Sequence, residues 1–115
     1  MFQTEEFFQK RKLTRVQHLL IVGKQEIGYI SVDVTNTNKY KNYVSVAHIF
    51  KSKNRGKGYG KMMYEHALQH HGSLSTRYHN ISESAQYIWQ SLVKKYEHRL
   101  DFFENTIEIY NKARS

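Results

Sequence analysis

The chain has no cysteine, no proline and no long apolar run. Without cysteine it can form no disulfide, no thiolate metal site and no cysteine nucleophile. Its longest apolar runs, such as residues 19–22, are far shorter than the roughly 20 residues that a membrane-spanning helix needs. We therefore expect a cytoplasmic protein with no membrane partner.

Acidic residues are also scarce. The 115 residues include 10 Asp and Glu against 18 Lys and Arg, which gives a formal net charge of +8. Such a surplus favours a polyanionic partner, either nucleic acid or the phosphates of a cofactor. A basic solvated surface is the alternative interpretation. The clearest concentration of cations lies between Lys51 and Lys61.

The hydrophobic pattern predicts one folded domain over residues 1–115. Phe2, Phe7 and Phe8 among charged residues indicate a short amphipathic helix at the start of the chain. Alternating and helical periodicities then predict strands over 16–22, 27–34, 43–50 and 73–78, helices over 59–70 and 85–96, and a final hairpin over 98–110. This order indicates an α+β or α/β domain with helices packed on a mainly antiparallel sheet.

A basic loop punctuated by glycine joins the third predicted strand to the first long helix. Gly56, Gly58 and Gly60 allow sharp turns, so backbone N–H groups can converge on an anion at the positive end of the helix. The spacing is not that of a P-loop, because Met62 follows Lys61. It does not fit G-x-G-x-x-G either, because the glycines fall at every second position.

The run Arg55-Gly56-Lys57-Gly58-Tyr59-Gly60 does fit the pattern Arg/Gln-x-x-Gly-x-Gly/Ala, after a strand ending in Phe50. It resembles the acyl-CoA pyrophosphate loop of the GCN5-related N-acetyltransferase (GNAT) superfamily, in a short form similar to small phage-encoded members. The succession of elements over residues 16–110 is also similar to that fold. The resemblance implies a GNAT-like sheet whose N-terminal helical region is shortened.

The resemblance implies an N-acyltransferase that passes an acetyl group directly from acetyl-CoA to an amine acceptor. In that family the pantetheine arm pairs with the strand before the loop, and the pyrophosphate binds the amides of the loop. The implied cofactor-binding residues are Ala47, His48, Ile49, Phe50, Lys51, Arg55, Gly56, Lys57, Gly58, Tyr59, Gly60, Lys61, Ser82 and Trp89.

The catalytic groups do not follow from the resemblance. Where the family commonly has a tyrosine that protonates the leaving CoA thiolate, this sequence has Trp89, whose indole N–H is a poor general acid. The candidate bases are His48, on the strand that lines the cofactor, and Asp33, on a neighbouring strand. The alternation of His48 with Val46 and Phe50 also fits a core histidine that faces the helices.

One further departure from the family leaves the function open. The family usually has two helices that form one wall of the acceptor pocket, and only about a dozen residues precede the first strand predicted here. Without that wall the cleft is open, which suits a large acceptor such as a protein or tRNA. Alternatively, a second subunit in a homodimer completes the cleft, or the protein has lost its activity. The alternatives to an enzyme are an inactive CoA- or protein-binding module and a small basic protein that binds nucleic acid through the loop.

The histidines raise the separate hypothesis of a metal site. His66 and His70 lie four residues apart on one predicted helix face, a spacing that can bind zinc. The sequence shows no third ligand, so we predict no metal site. A surface or half-buried helix accounts for the pair.

Overall fold

The computed structural model describes residues 1–10, 13–36 and 39–114, with no side chains described for residues 7–10. Seven strands form one sheet in the order β1-β2-β3-β4-β5-β7-β6. All neighbouring strands are antiparallel except β4 and β5, which are parallel. The elements are β1 (Phe2–Lys10), β2 (Leu13–Val22), β3 (Gln25–Thr35), β4 (Asn42–Ile49), α1 (Tyr59–His71), β5 (Ser73–Arg77), α2 (Glu83–Lys95), β6 (Tyr96–Asp101) and β7 (Thr106–Ala113), with 3-10 turns at Ser52–Asn54 and Tyr78–Asn80.

This architecture confirms the predicted α+β class and the mainly antiparallel sheet. The strands, the two long helices and the final hairpin lie where the periodicity placed them, within a few residues. Among the described residues, no helix is both long and apolar enough to cross a membrane.

The predicted N-terminal helix is wrong, because this segment is the edge strand β1. It pairs antiparallel with β2, with Phe2 opposite Leu20 and Glu6 opposite Val16. The backbone of β2 would otherwise present an open row of N–H and C=O groups, and β1 supplies their hydrogen bonds. Phe7 and Phe8, which suggested the helix, have side chains outside the described part of the chain.

The core lies between the sheet and the two helices. Its fully buried side chains come from both layers, and they include Leu20, Ile30, Met63, Leu68, Leu74, Trp89, Leu92 and Ile109. The rings of Tyr64 in α1 and Trp89 in α2 meet edge to face with centroids 5.6 Å apart, which joins the helices. Of the two methionines expected on the buried helix face, Met63 is buried and Met62 is 45% exposed.

Strand β4 separates from β5 soon after the two strands meet. In the described chain they share one register pair, Tyr43 opposite Ser75. On its other side β4 stays paired with β3, but its register changes at Ser45, because Val44 lies opposite Val32 and Val46 opposite Ser31. Such a bulge bends a strand and increases its twist. The second half of β4 therefore has one edge without a neighbouring strand.

Candidate functional site

The glycine loop ends at the N-terminus of α1. Gly58 is the N-cap residue and has a left-handed backbone with φ of 83°, a conformation that glycine adopts without strain. Within the described chain no side-chain hydrogen bond caps this end of the helix, and no acidic residue lies in its first turn. The first N–H groups of α1 therefore keep their capacity to bind an anion, which the helix dipole also favours.

Gly60 lies in the first turn of α1 and not in a sharp turn of the loop. A Cβ at this position would stand 2.8 Å from Cδ1 of Ile88 in α2. Its small size therefore leaves room for the side chain of Ile88. This reason for a glycine depends on the packing of α2, which the loop sequence does not show.

The loop carries positive charge that no acidic side chain neutralises. Lys51, Lys53, Arg55 and Lys57 are exposed, and none of them forms an ion pair within the described residues. Some lysines and arginines elsewhere, such as Lys95 with Glu65 at 2.6 Å, do have carboxylate partners. The four exposed cations of the loop therefore lie beside the uncapped end of α1 with their charge available to an anion.

The strand predicted to hold the pantetheine arm is accessible. Ala47 and His48 are exposed, Ile49 is half-buried, and Phe50 is 42% exposed. The interpretation of His48 as a core histidine that faces the helices is wrong. Its ring lies instead against Tyr29 and Phe50, with centroids 6.0 and 5.7 Å away. The bulge at Ser45 changes the faces of the strand, so Val46, His48 and Phe50 are exposed although Val44 is buried.

The two candidate bases do not meet. His48 pairs with Tyr29 and Asp33 with Tyr43, so they are four positions apart along β3, roughly 13 Å at the usual rise of a strand. Both oxygens of Asp33 bind Arg15, Oδ1 to Nε at 2.7 Å and Oδ2 to Nη2 at 3.2 Å. The carboxylate raises the pKa of Arg15 through this hydrogen bond and its charge. Asp33 is therefore engaged by Arg15, whereas the ring of His48 is open to solvent.

Ser82 and Trp89 both belong to α2. Ser82 caps the helix by accepting a hydrogen bond from the backbone N–H of Ala85 at 3.2 Å. Trp89 is 0% exposed, so it has no surface for contact with a cofactor. Its Nε1 atom has no hydrogen-bond partner within the described residues. In this structure Trp89 fills the core beside Tyr64.

A cavity of about 540 Å³ lies beside the start of β4 and the end of β5. Its lining has mixed charge: Lys39, Tyr40, Tyr43, Arg77, Asn80, Glu104 and Thr106. Asp101 fixes one wall, because it accepts hydrogen bonds from Lys39 at 2.7 Å and from Tyr40. These two partners hold the pKa of Asp101 well below its usual range.

The sequence analysis missed this cavity. Its residues come from the β3–β4 connection, the end of β5 and the β6–β7 turn, which are far apart along the chain. No local motif joins them.

Four histidines, one in β2 and three in α1, form a separate cluster. His18 of β2 is fully buried, and its ring lies edge-on to those of His66, His70 and His71, with centroids 4.8 to 5.0 Å away. Burial lowers the pKa of His18 to about 3 and that of His71 to about 4. Burial also lowers the pKa of His66. The buried rings are therefore neutral at pH 7.

We expect this cluster to make the protein sensitive to mild acid. Between pH 6.5 and 4, the unfolded chain binds protons that the buried His18 and His71 cannot accept, so the free energy of unfolding falls as the pH falls. For His18 alone the loss from pH 7.5 to pH 5 is about 2 kcal/mol. Urea unfolding at a series of pH values, in the presence of a chelator, measures this free energy of unfolding. A pH-independent free energy of unfolding over this range would contradict the prediction.

The other titratable groups at the cluster are His66, His70 and the N-terminal amine, whose charge helps to lower the pKa of His66. The shifted carboxyl groups of Glu65 and Asp101 have lowered pKa values, so their effects appear mainly below pH 5. His18→Leu is the matched variant, because it replaces the buried imidazole with an apolar side chain of similar size that cannot bind a proton. We expect a weaker pH dependence in His18→Leu than in the native chain.

Comparison with known proteins identifies no family for this chain. Neither the protein-family models nor the curated proteins contain a match. The assignment of function therefore depends on the geometry of β4, the loop, α1 and the cavity.

Proposed function

We propose that this protein is an acyl-CoA-dependent N-acyltransferase of the GNAT type that uses acetyl-CoA. The observation that carries the proposal is the free edge of β4, which leads directly into the glycine loop and the uncapped N-terminus of α1. A free strand edge binds amide-bearing ligands through main-chain hydrogen bonds, and a helix N-terminus binds phosphate. CoA carries the amides of pantetheine on one side of its pyrophosphate, so it needs both features in line.

In this proposal the pyrophosphate binds the first amides of α1, at Gly58 to Lys61. Arg55 and the lysines of the loop neutralise its charge. The pantetheine arm follows β4 from Phe50 back towards the bulge at Ser45, and the thioester reaches the gap beside Tyr43. The cavity at this gap receives the acceptor amine, and its open side admits an amine on a large substrate.

The reaction is a direct transfer. The acceptor nitrogen attacks the carbonyl carbon of the thioester, the C–S bond breaks, and CoA leaves as a thiolate. An alkyl thiol with a pKa of about 8.5, as in cysteine, leaves in this form and then takes a proton from water. This route needs no tyrosine at position 89. The attacking nitrogen must lose a proton. In this proposal His48 takes that proton through a relay of waters, because its ring is exposed on the strand that carries the arm but lies roughly 13 Å along the sheet from the level of Tyr43.

Replacement of His48 tests the assigned base. We expect His48→Gln to lower kcat roughly 10²-fold, at the lower end of the usual contribution of a general base. The Kd of acetyl-CoA should change little. The assay follows release of the CoA thiol with a panel of amines, including a polyamine and a lysine-containing peptide, across pH. His79→Gln is the matched control, because His79 is also exposed but lies in the turn after β5.

Unchanged kcat in His48→Gln would remove His48 from the mechanism but leave the cofactor site intact. The cofactor site has its own test, a calorimetric titration of the folded protein with acetyl-CoA and CoA at moderate salt. Binding at micromolar Kd or below supports the proposal. No binding of CoA, together with steeply salt-dependent binding of DNA or RNA, would favour the nucleic-acid hypothesis instead.

A further inference from the structure

The histidine cluster lies away from the proposed CoA site. His70 and His71 are the last residues of α1, whereas the glycine loop precedes its first residue. Over the 13 residues of α1 this separation is about 18 Å along the helix axis. The cluster therefore needs an explanation of its own, one that does not depend on acyl transfer.

We propose that His18, His70 and His71 bind a divalent transition-metal ion, with Zn²⁺ as the first candidate. One ring nitrogen from each residue lies within 4.8 Å of the other two. The Nε2 atoms of His18 and His71 are 2.9 Å apart. In a tetrahedral zinc site with bonds of about 2.0–2.1 Å, the ligand nitrogens lie roughly 3.3 Å apart. Small rotations of the three rings therefore bring them to the distances that the ion requires.

The ring of His18 is already oriented for this role. Its Nδ1 atom lies 2.8 Å from the hydroxyl oxygen of Thr4 in β1, and its Nε2 atom points towards His71. When Nδ1–H donates to Thr4, the lone pair of Nε2 faces His71. Histidine ligands in metal sites usually donate their second ring N–H to such an oxygen, which fixes the tautomer and the ring orientation.

The surroundings favour a cation. His70 and His71 lie in the last turn of α1, which ends at Gly72. The partial negative charge at the C-terminus of a helix stabilises positive charge near it. The buried imidazoles are neutral, the form in which histidine binds a metal.

The ligand type limits the choice of ion. Three imidazole nitrogens suit Zn²⁺, Cu²⁺ and Ni²⁺, whereas Mg²⁺ and Ca²⁺ prefer oxygen ligands. His70 is exposed, so water can reach a fourth coordination position. The Nε2 atom of His66 is buried and has no hydrogen-bond partner within the described ranges. The ring of His66 stacks on Phe2, with centroids 3.8 Å apart, and its nitrogens are not in the group of three.

The test is a titration of the untagged, chelator-treated chain with Zn²⁺ by calorimetry, and with Co²⁺ by visible absorption. We expect one ion per chain with a Kd in the micromolar range or below, and intense Co²⁺ bands that indicate tetrahedral coordination. His70→Ala should weaken binding at least 10-fold. His70 is the best ligand to replace, because its exposed side chain leaves the core intact.

His79→Ala is the matched control, since it removes an exposed histidine outside the cluster. We expect His79→Ala to bind both ions as the native chain does. Circular dichroism is the check that each variant is folded. Failure of the native chain to bind Zn²⁺ or Co²⁺ at one ion per chain overturns the proposal. Equal affinity in His70→Ala and the native chain also overturns it. Neither outcome bears on acyl transfer, which the acetyl-CoA titration tests separately.

Discussion

Gly58→Asp is expected to abolish the binding of acetyl-CoA. Gly58 occupies the N-cap position of α1, among the amides that we assign to the pyrophosphate. An aspartate there puts a negative charge within a few ångströms of a group that carries two or more negative charges. At about 4 Å each such pair costs about 4 kcal/mol at an effective dielectric constant of 20. We therefore expect at least a 10³-fold increase in Kd, measured by calorimetry.

Gly23→Asp is the matched control for this substitution. Gly23 also has a positive φ, 64° against 83° for Gly58, and a Cβ would meet no atom within 4 Å at either position. The two variants thus carry similar backbone strain and the same added charge. Gly23 lies in the β2–β3 turn, so its variant should bind acetyl-CoA with native affinity. If both variants bind acetyl-CoA equally well, the pyrophosphate does not lie at the start of α1.

Much of the fold could be predicted because its patterns are local. The alternation over 27–34 and the helical spacing over 59–70 are contained in short stretches of the chain, so the sequence alone indicates β3 and α1. The N-terminal strand could not be found in this way. Its conformation depends on the free edge of β2, which is a property of the assembled sheet and not of residues 1–12.

The candidate sites also differ in whether their residues are contiguous in sequence. The glycine loop and its cations are contiguous in sequence, and the structure brings them together at the uncapped end of α1. The cavity and the histidine cluster require distant elements to meet, since His18 and His71 are 53 positions apart. The periodicity of α1 indicated His66 and His70, but only the register of the sheet brings His18 beneath them.

Gly28 shows how one position of close packing fixes the shape of β4. It lies in β3 opposite Ile49, the last residue of β4. A Cβ at position 28 would overlap the carbonyl oxygen of His48 and stand 3.1 Å from the carbonyl carbon of His48 and from the Cα of Ile49. These are backbone atoms, so no side-chain rotation can relieve the overlap. Any larger residue must push β4 away from β3.

We therefore expect Gly28→Ala to lower the free energy of unfolding by about 3 kcal/mol or more, because the sheet has to open where β3 and β4 touch. Gly23→Ala is the control. Its Cβ has open space, so it should cost about 1 kcal/mol from the positive φ alone. Urea unfolding of both variants gives the comparison. Equal losses would mean that β3 and β4 are not in close contact at Gly28, and that the free edge of β4 is not held in the position that the proposed cofactor arm requires.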